Sequence, residues 1–333
     1  MPELIQAEYS VVTPLFLGDA NKEAKDIPAA SFKGVLRFYW RALQWGRYKT
    51  KVSDETALQA LHQKESEIFG SSAEQSAGQA KFNLRIQVDK LPMPKADWPK
   101  AQSDSGYLGM GLWESGRKDK GNFQPARQYI SENTHFTVKL VLKPSLTEED
   151  KQSLQDALIL LGLIGGLGSR SRRAFGSLAL LSLNDQSYQF DTLDAYKNAF
   201  TNLLSGYNFP DMPPPYSAFS QGSQININAE HKTNARLAHS QLGHLFREHR
   251  GQPSNLRGSK KRVFGMPYSG GVSKESNARR SSPLLMHIHP IGKVYHAVFL
   301  FFPAVFYFDK TLSDVDYRLI TDFIDQFEEV AIT

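Results

Sequence analysis

Cysteine is absent from this chain of 333 residues, and its absence removes several kinds of protein at once. No disulfide and no thiolate-bound metal is possible, so the composition points away from secreted disulfide scaffolds and towards a cytoplasmic location. Long hydrophobic runs are also missing, because the longest candidate, residues 297–308, contains Pro303 and is too short for a membrane span. The first residues lack the basic stretch and apolar core of a signal peptide, so we expect no contact with a membrane.

The two common phosphate-binding motifs are missing as well. A P-loop requires Gly-Lys followed by Ser or Thr, and that tripeptide does not occur. A dinucleotide-binding fingerprint needs three glycines, but here Gly166 and Gly168 are followed by Ser171 where the third glycine belongs. The neighbouring elements are also predicted in the wrong order, with a helix before the glycines and a strand after them. Neither motif explains these glycines.

What the chain does have is a stretch rich in both glycine and arginine, residues 165–176, which we call the Gly/Arg loop. Glycine lets the backbone approach a ligand closely, so that successive N–H groups can converge on an anion. Arginine adds planar donors that match phosphate oxygens. The loop therefore predicts contact with a phosphodiester backbone. The alternative is a helix C-terminal cap followed by a solvated basic turn.

Length and net charge are ordinary, but the positive charges are clustered. Lys and Arg outnumber Asp and Glu by 39 to 34, for a formal net charge of +5, and 41% of the residues are hydrophobic, which suffices for two domain cores. Two further basic clusters fall in Gly- and Ser-rich segments. They are Arg257 with Lys260, Lys261 and Arg262, and Arg279 with Arg280. Clusters of this kind are typical of a nucleic-acid interface.

The order of predicted elements indicates an α+β fold. In the first half, Ser31 is a plausible N-cap for the first helix, and the order is β-α-β-β-α-β, the ferredoxin-like or RRM-like arrangement. Its strands are predicted at 7–16, 80–88, 135–142 and 177–183, and its second helix at 154–164. The second half is coarsely similar. Its strands are predicted at 224–228, 284–289 and 294–302, and its helices at 236–249 and 313–329.

We therefore predict two ferredoxin-like domains with long loop insertions. The expected boundaries are 1–207 for the first domain, 208–217 for a proline-rich linker and 218–333 for the second domain. An insertion over 90–127 has little periodicity. It is either a disordered surface loop or a binding element, and the sequence does not distinguish them.

The first predicted helix carries a basic stripe. Lys33, Arg37 and Arg41 recur every four residues and so share one face, while Trp40 and Trp45 lie near its boundary, where they can stack on bases. The stripe favours contact with nucleic acid. The alternative is a solvated amphipathic helix with Trp40 in the core.

Four blocks of sequence are recognisable together. They are residues 13–18, 31–41, 165–176, and 264–268 with 279–284. In this order they resemble the RAMP superfamily of CRISPR proteins, and more narrowly the subunit that caps the guide-RNA 3′ end in the type III-B effector, the Cmr complex. Tyr39 stands where relatives often carry a second tryptophan, which affects only the expectation of stacking at that position.

The resemblance implies an RNA-binding subunit of a multi-subunit ribonucleoprotein for antiviral defence, with no chemistry, cofactor or metal of its own. Its expected partners are guide (CRISPR) RNA, target RNA and other RAMP subunits. The expected RNA-binding residues are Lys33, Arg37, Trp40, Arg41, Gly165, Gly166, Gly168, Ser169, Arg170, Arg172, Arg173, Phe175, Lys260, Lys261, Arg262, Arg279 and Arg280. Affinity should depend steeply on salt and weakly on base identity, and Arg172→Ala with Arg173→Ala should weaken it without unfolding the protein.

Some RAMP relatives cleave RNA without metal, so the nine histidines are candidates for acid–base catalysis. His287 and His289 would share one face of a strand, but no Asp or Glu lies beside them to complete a site. His239, His244 and His249 are five residues apart on a predicted helix and turn away from one another. Binding is favoured over catalysis. The alternatives are a metal-independent endoribonuclease that processes guide RNA and an RNA-binding protein outside CRISPR biology.

Overall fold

The computed structural model describes most of the chain. The described residues are 3–18, 23–71, 78–90, 95–112, 127–252, 258–265, 279–305 and 317–332. Arg257 lies outside these ranges, and Lys260 is described only through its backbone.

The first half forms a five-stranded antiparallel sheet with the strand order β2-β3-β1-β4-β5. Its strands are β1 (Leu4–Val11), β2 (Phe82–Val88), β3 (His135–Leu142), β4 (Leu178–Leu183) and β5 (Gln186–Ser187). Its helices are α1 (Ala29–Tyr48), α2 (Asp54–Phe69), α3 (Asp104–Leu108), α4 (Glu148–Ile164) and α5 (Leu193–Leu204). Strand β3 shows the alternation that places one face in the core, since Phe136, Val138 and Leu140 are buried.

The second half forms a four-stranded antiparallel sheet with the order β7-β8-β6-β9. Its strands are β6 (Gln224–Lys232), β7 (Leu284–Ile291), β8 (Val294–Phe301) and β9 (Glu328–Glu329). Its helices are α6 (Ala235–Gly251), a 3-10 helix (Gly258–Phe264) and α7 (Arg318–Ile324). The predicted α+β class is confirmed, with antiparallel sheets in both halves. The order β7-β8-β6-β9 matches β2-β3-β1-β4 strand for strand.

Several predicted boundaries are wrong. Strand β1 ends at Val11, not at residue 16, because the chain turns away from the sheet at Thr13. The Thr13 hydroxyl donates a hydrogen bond to the Ala174 carbonyl at 2.6 Å. Helix α1 begins at Ala29 with Pro28 as its N-cap, so Ser31 is not the cap but lies inside the helix, donating its N–H to the Pro28 carbonyl.

Further helices and strands were not predicted, or were predicted too long. Helices α2 and α5 were missed, although Ser53 and Thr192 cap them through side-chain hydrogen bonds. The last helix is shorter than expected, since Glu328 and Glu329 form β9, and residues 313–316 of the prediction lie outside the described ranges.

Helix α4 lies at the centre of the molecule. Its second half is apolar on all sides, as expected of a fully buried helix, and it contacts β1 and β4 of the first sheet and β7 and β8 of the second. The Tyr9 hydroxyl on β1 donates to the Leu158 carbonyl of α4 at 2.8 Å. One hydrophobic cluster contains residues of both halves, including Trp40 and Val298. The two sheets therefore share part of one core.

The proline-rich segment 208–217 lies against α1. Tyr216 packs edge-on against Trp45, with ring centroids 5.4 Å apart, and its hydroxyl donates to the Arg41 carbonyl at 3.1 Å. The domain boundaries given above remain predictions. In the described part of the chain, no helix combines the length and hydrophobicity that crossing a membrane requires.

Candidate nucleic-acid interface

The Gly/Arg loop follows α4 and packs against the segment that leaves β1. Gly168 has φ +85°, and a Cβ there would lie 2.6 Å from the Phe16 carbonyl oxygen. Gly176 has φ +59°, and its Cβ would lie 2.2 Å from the Leu167 carbonyl oxygen. Only glycine tolerates both the left-handed backbone and the close approach. Here the glycines bring protein backbone against protein backbone.

The amide groups of this loop are largely occupied. The N–H groups of Gly165, Leu167, Ser169 and Gly176 donate to protein carbonyls at 2.8–3.0 Å. Gly165 and Gly166 are themselves buried. The expectation that successive N–H groups of this loop converge on an anion is therefore wrong for these four, which already have carbonyl partners.

Phe175 is also placed inside the protein. It is fully buried, and its ring packs edge-on against His239 with centroids 4.4 Å apart. Its expected contact with RNA is corrected to a role in packing, because no face of the ring is open to a base.

Arg172 and Arg173 reach from the loop into the second half. Arg172 donates to the Ser282 carbonyl and lies 4.9 Å over the Phe38 ring. Arg173 donates to the Phe264 carbonyl at 3.1 Å and lies 4.6 Å over the Phe246 ring. Burial lowers the pKa of Arg172 to about 10 and that of Arg173 to about 9, so both guanidinium groups stay charged at neutral pH.

His239 fixes the position of the loop from the other side. Its Nε2–H donates to the Arg173 carbonyl at 3.0 Å, and its Nδ1 accepts from the Ser105 hydroxyl at 3.0 Å. Burial lowers the pKa of His239 to about 3, so the imidazole is neutral and can make both bonds. The backbone of the loop is thus held between α6 and the segment that contains α3.

A groove of about 800 Å³ opens between the Gly/Arg loop, α3 and α6, and we call it the basic groove. Its described lining contains seven basic residues and no acidic residue. The basic residues are Arg170, Arg172, Arg173, Arg250, Lys261, Arg279 and Arg280. Arg170 and Arg279 are the exposed members, and Lys261 has its pKa lowered by burial and by Arg250. The groove therefore concentrates positive charge in one concave surface.

The structure brings the loop arginines together with Lys261, Arg279 and Arg280, as a single interface requires. Other expected residues lie apart from the basic groove. Ser169 accepts a hydrogen bond from Arg127 at 2.8 Å, and Arg262 does not line the groove.

The basic stripe on α1 faces a carboxylate. Arg37 Nε lies 2.7 Å and Arg41 Nη1 3.7 Å from the two carboxylate oxygens of Glu65, a buried residue of α2. Lys33 lies 5.4 Å over the Phe82 ring, and burial and Arg37 lower the pKa of its amine. Part of the charge of the stripe is thus neutralised within the protein.

Trp40 is a core residue. It is 1% exposed, and its indole N–H donates to the Ser153 hydroxyl at 2.9 Å. Trp45 is buried as well. The expected stacking of Trp40 on bases is corrected in favour of the alternative, the helix with Trp40 in the core.

His287 and His289 form a buried pair. His287 donates from Nδ1–H to the Gly165 carbonyl at 2.9 Å, and its Nε2 accepts from His289 Nδ1–H at 3.1 Å. Burial lowers the pKa of His287 to about 3, and of His289 well below its usual value. An RNA 2′-hydroxyl has no access to these rings. Across the described ranges, no group of three or more His, Asp or Glu residues is arranged to hold a metal ion.

Sequence reasoning missed Arg250, and it left open whether the insertion that contains the segment 95–112 is a binding element. Arg250 lies 5.9 Å over the Tyr107 ring and 5.2 Å over the Phe264 ring. Within 95–112, α3 packs against α6, and Trp98 packs against Phe175 with centroids 5.1 Å apart. The sequence does contain a signal for Arg250. This residue directly follows the helix predicted at 236–249 and comes four residues after Phe246. Residues 91–94 and 113–126 of the 90–127 insertion lie outside the described residues.

The fold and the Gly/Arg loop agree with the comparison against known families. The model of the RAMP superfamily matches residues 8–179, more than half of the chain, and the chain belongs to that superfamily.

Individual relatives agree with the narrower resemblance. The chain is 25% identical over 194 residues to the CRISPR system Cmr subunit Cmr1-2 of Pyrococcus furiosus, over 54% of this chain and 95% of that protein. Its fold is similar to the crystal structure of Cmr1 from Pyrococcus furiosus in the apo form, with TM-score 0.64 and 19% identity over 99% of this chain and 98% of that one. It is also similar to a chain of type III-B Cmr-beta bound to cognate target RNA, with TM-score 0.56 and 11% identity over 98% and 99% of the two chains. The resemblance seen in the four sequence blocks is confirmed.

Proposed function

We propose that this chain is an RNA-binding subunit of a type III-B CRISPR (Cmr) ribonucleoprotein effector complex. In this proposal it contacts guide RNA near the guide 3′ end, or target RNA, through the basic groove, and it acts without catalysis in the cytoplasm. The observation that carries the proposal is the groove itself, whose described lining has seven basic and no acidic residues. The similarity to Cmr1 and to a Cmr-beta chain in a complex with target RNA supports it.

The lining of the groove suits single-stranded RNA. Its arginines can neutralise phosphates, while Tyr107 and the exposed Met110 line the same groove and offer apolar surface to bases. Base-specific contacts are not needed for such binding, so the affinity comes mainly from the backbone. The groove thus accounts for binding to a strand of unspecified sequence.

Partner subunits belong to the same proposal. We propose that the two halves are ferredoxin-like domains of one duplicated plan, which the matching strand orders support. Other RAMP subunits of the effector would then extend the RNA-binding surface beyond this chain.

The first test pairs a groove variant with a matched control. Arg170→Ala with Arg279→Ala removes two exposed groove charges, and Arg85→Ala with Lys90→Ala removes two exposed charges from residues that do not line the groove. Binding of labelled single-stranded RNA is measured across a salt series. Each lost phosphate contact should reduce the slope of log affinity against log salt by about 0.7, hence by about 1.4 in the groove variant.

The control should keep the native affinity and slope. Equal slopes in the native protein and the groove variant would contradict the proposal.

The same samples on a denaturing gel test the nuclease alternative. Fragments that persist in EDTA and disappear in His287→Ala would establish cleavage, a result that the burial of His287 argues against.

A further inference from the structure

A second pocket branches from the basic groove. It has a volume of about 290 Å³ and lies between α1, α2 and the segment before β6. It shares Arg172, Arg280 and Ser281 with the lining of the basic groove. A strand whose phosphates lie along those arginines therefore passes the mouth of this pocket. We call it the Glu65 pocket.

The walls of the Glu65 pocket are largely apolar. The apolar residues that line it are Phe38, Leu58, Leu61 and Tyr216. Arg172 lies 4.9 Å over the Phe38 ring. Its volume is close to the lower end of the range for small-molecule sites, roughly 300–1,000 Å³. The pocket has room for one small planar group and not for a helix or a duplex.

One side of the pocket is polar, and there Glu65 supplies the one carboxylate of the described lining, which also contains Arg41, Arg172 and Arg280. Glu65 lines it, and its carboxylate is held by Arg37 on one oxygen and by Arg41 on the other. Arg41 also has a buried Nε–H that finds no hydrogen-bond partner in the described part of the chain. A carboxylate only accepts hydrogen bonds, so a group that contacts Glu65 must bring N–H or O–H donors.

The arrangement selects among the parts of an RNA strand. An ionised phosphodiester has no hydrogen-bond donor for Glu65, and both a phosphate and a ribose are poorly matched to the apolar walls. A splayed-out base has the flat apolar faces and the polar edge that the pocket requires. Guanine alone has two adjacent N–H donors, N1–H and the 2-amino group, beside an acceptor, O6. The carboxylate of Glu65 can accept from both donors, and the guanidinium of Arg41 can donate to O6.

We infer that the Glu65 pocket binds a guanine base of the bound RNA strand and adds a base preference to an otherwise sequence-tolerant groove. This inference rests on the proposed function. It also departs from the expectation of uniformly weak dependence on base identity, which holds for backbone contacts only.

The test uses the full chain and single-stranded RNAs built from repeats of UUN, with N as G, A, C or U. The native protein should bind the UUG repeat about tenfold more tightly than the others, as expected for one good bidentate contact. Glu65→Gln keeps the shape of the side chain but loses one acceptor, so it should bring the UUG affinity down to that of UUA. Leu58→Trp fills the pocket from a half-buried position and should do the same without altering any charge.

The outcomes separate this inference from the function on which it depends. If all four repeats bind equally to the native protein, with the salt slope intact, the guanine pocket is excluded and the basic groove stands. A guanine preference that survives in a folded Leu58→Trp variant would also overturn the inference. If no repeat binds at all, the proposed function itself fails. Thermal unfolding of each variant shows whether it is folded. If the Glu65→Gln variant does not fold, the Leu58→Trp variant alone tests the inference.

Discussion

Gly168 in the Gly/Arg loop and Gly34 on α1 differ in what surrounds them. Gly168 combines a φ of +85° with a backbone carbonyl 2.6 Å from the position of a Cβ, whereas Gly34 on α1 has nothing within 4 Å of that position. Gly168→Ala should lower the free energy of unfolding by at least about 2 kcal/mol, because both the backbone and its neighbour must shift. Chemical denaturation measures this effect.

Gly34→Ala is the matched control for the same substitution. It lies on an exposed turn of a helix, where alanine should raise stability by about 0.5–1 kcal/mol. If the two variants are equally stable, the loop does not require glycine for its conformation.

The sequence predicts that glycine is needed in this loop, but it does not show what approaches the backbone. Close approach by a phosphate and close approach by the chain itself require the same residue, and here Phe16 and Leu167 supply the carbonyls. The same ambiguity applies to Trp40, since an aromatic near a basic stripe is compatible with stacking and with burial. Only the position of Ser153, more than a hundred residues away, decides for burial.

At the scale of an element, the arginines of the loop divide into two kinds. Arg170 is exposed, whereas Arg173 is enclosed by Phe246 and bonded to the Phe264 carbonyl. Arg173→Ala should lower the free energy of unfolding by about 1.5–3 kcal/mol, the range for a hydrogen bond that involves a charged group. Arg170→Ala should change it by no more than about 0.5 kcal/mol, as is usual at a surface.

Urea denaturation of the two single variants measures the difference. This revises the expectation for the Arg172→Ala and Arg173→Ala pair, which should destabilise the protein as well as weaken binding. A fully stable Arg173→Ala variant would show that the contact between the loop and the second half contributes nothing to folding.

Helix α1 shows which part of an element can be read from its sequence. The four-residue repeat of Lys33, Arg37 and Arg41 correctly places the three on one helix. The repeat does not reveal Glu65, the partner of Arg37, 28 residues further along on a helix that was not predicted. Spacing reports on neighbours within an element, and the partner that alters the chemistry comes from another element.

The whole molecule is sensitive to protonation where its two halves meet. His239 has a pKa of about 3 in the folded protein, below its value of about 6.5 when unfolded, because burial disfavours the charged ring. The unfolded chain therefore binds the proton more tightly, and stability falls as the pH drops from about 6.5 towards about 3. Between about pH 7.5 and about pH 5.5, His239 should account for a loss of about 1.4 kcal/mol.

His239→Gln separates this contribution from that of the other buried histidines. Between the same two pH values, the free energy of unfolding of the variant should fall by about 1.4 kcal/mol less than that of the native protein. Denaturant titration at both pH values measures this difference. Identical slopes for the variant and the native protein would mean that the pKa of His239 is the same in the folded and the unfolded protein.

The overall plan is visible in the sequence, while the contact between the halves is not. Alternation and element order predict the α+β class, and every strand except β5 and β9 overlaps a predicted strand. The cluster that joins Trp40 to Val298 depends on α4 lying between two sheets. No local pattern encodes that placement, because the second half of α4 is apolar on every side and so marks no single face for either sheet.

The contact between the Gly/Arg loop and the second sheet, β7-β8-β6-β9, also has a consequence for solubility. Strand β7 is at the edge of its sheet, and its outward amides at Met286 and Ile288 donate to the Arg172 carbonyl and the Ser177 hydroxyl, both at 3.2 Å. An uncovered edge is a template on which a second chain can add a strand. The loop closes that template, so a chain whose halves have come apart is the form that will self-associate.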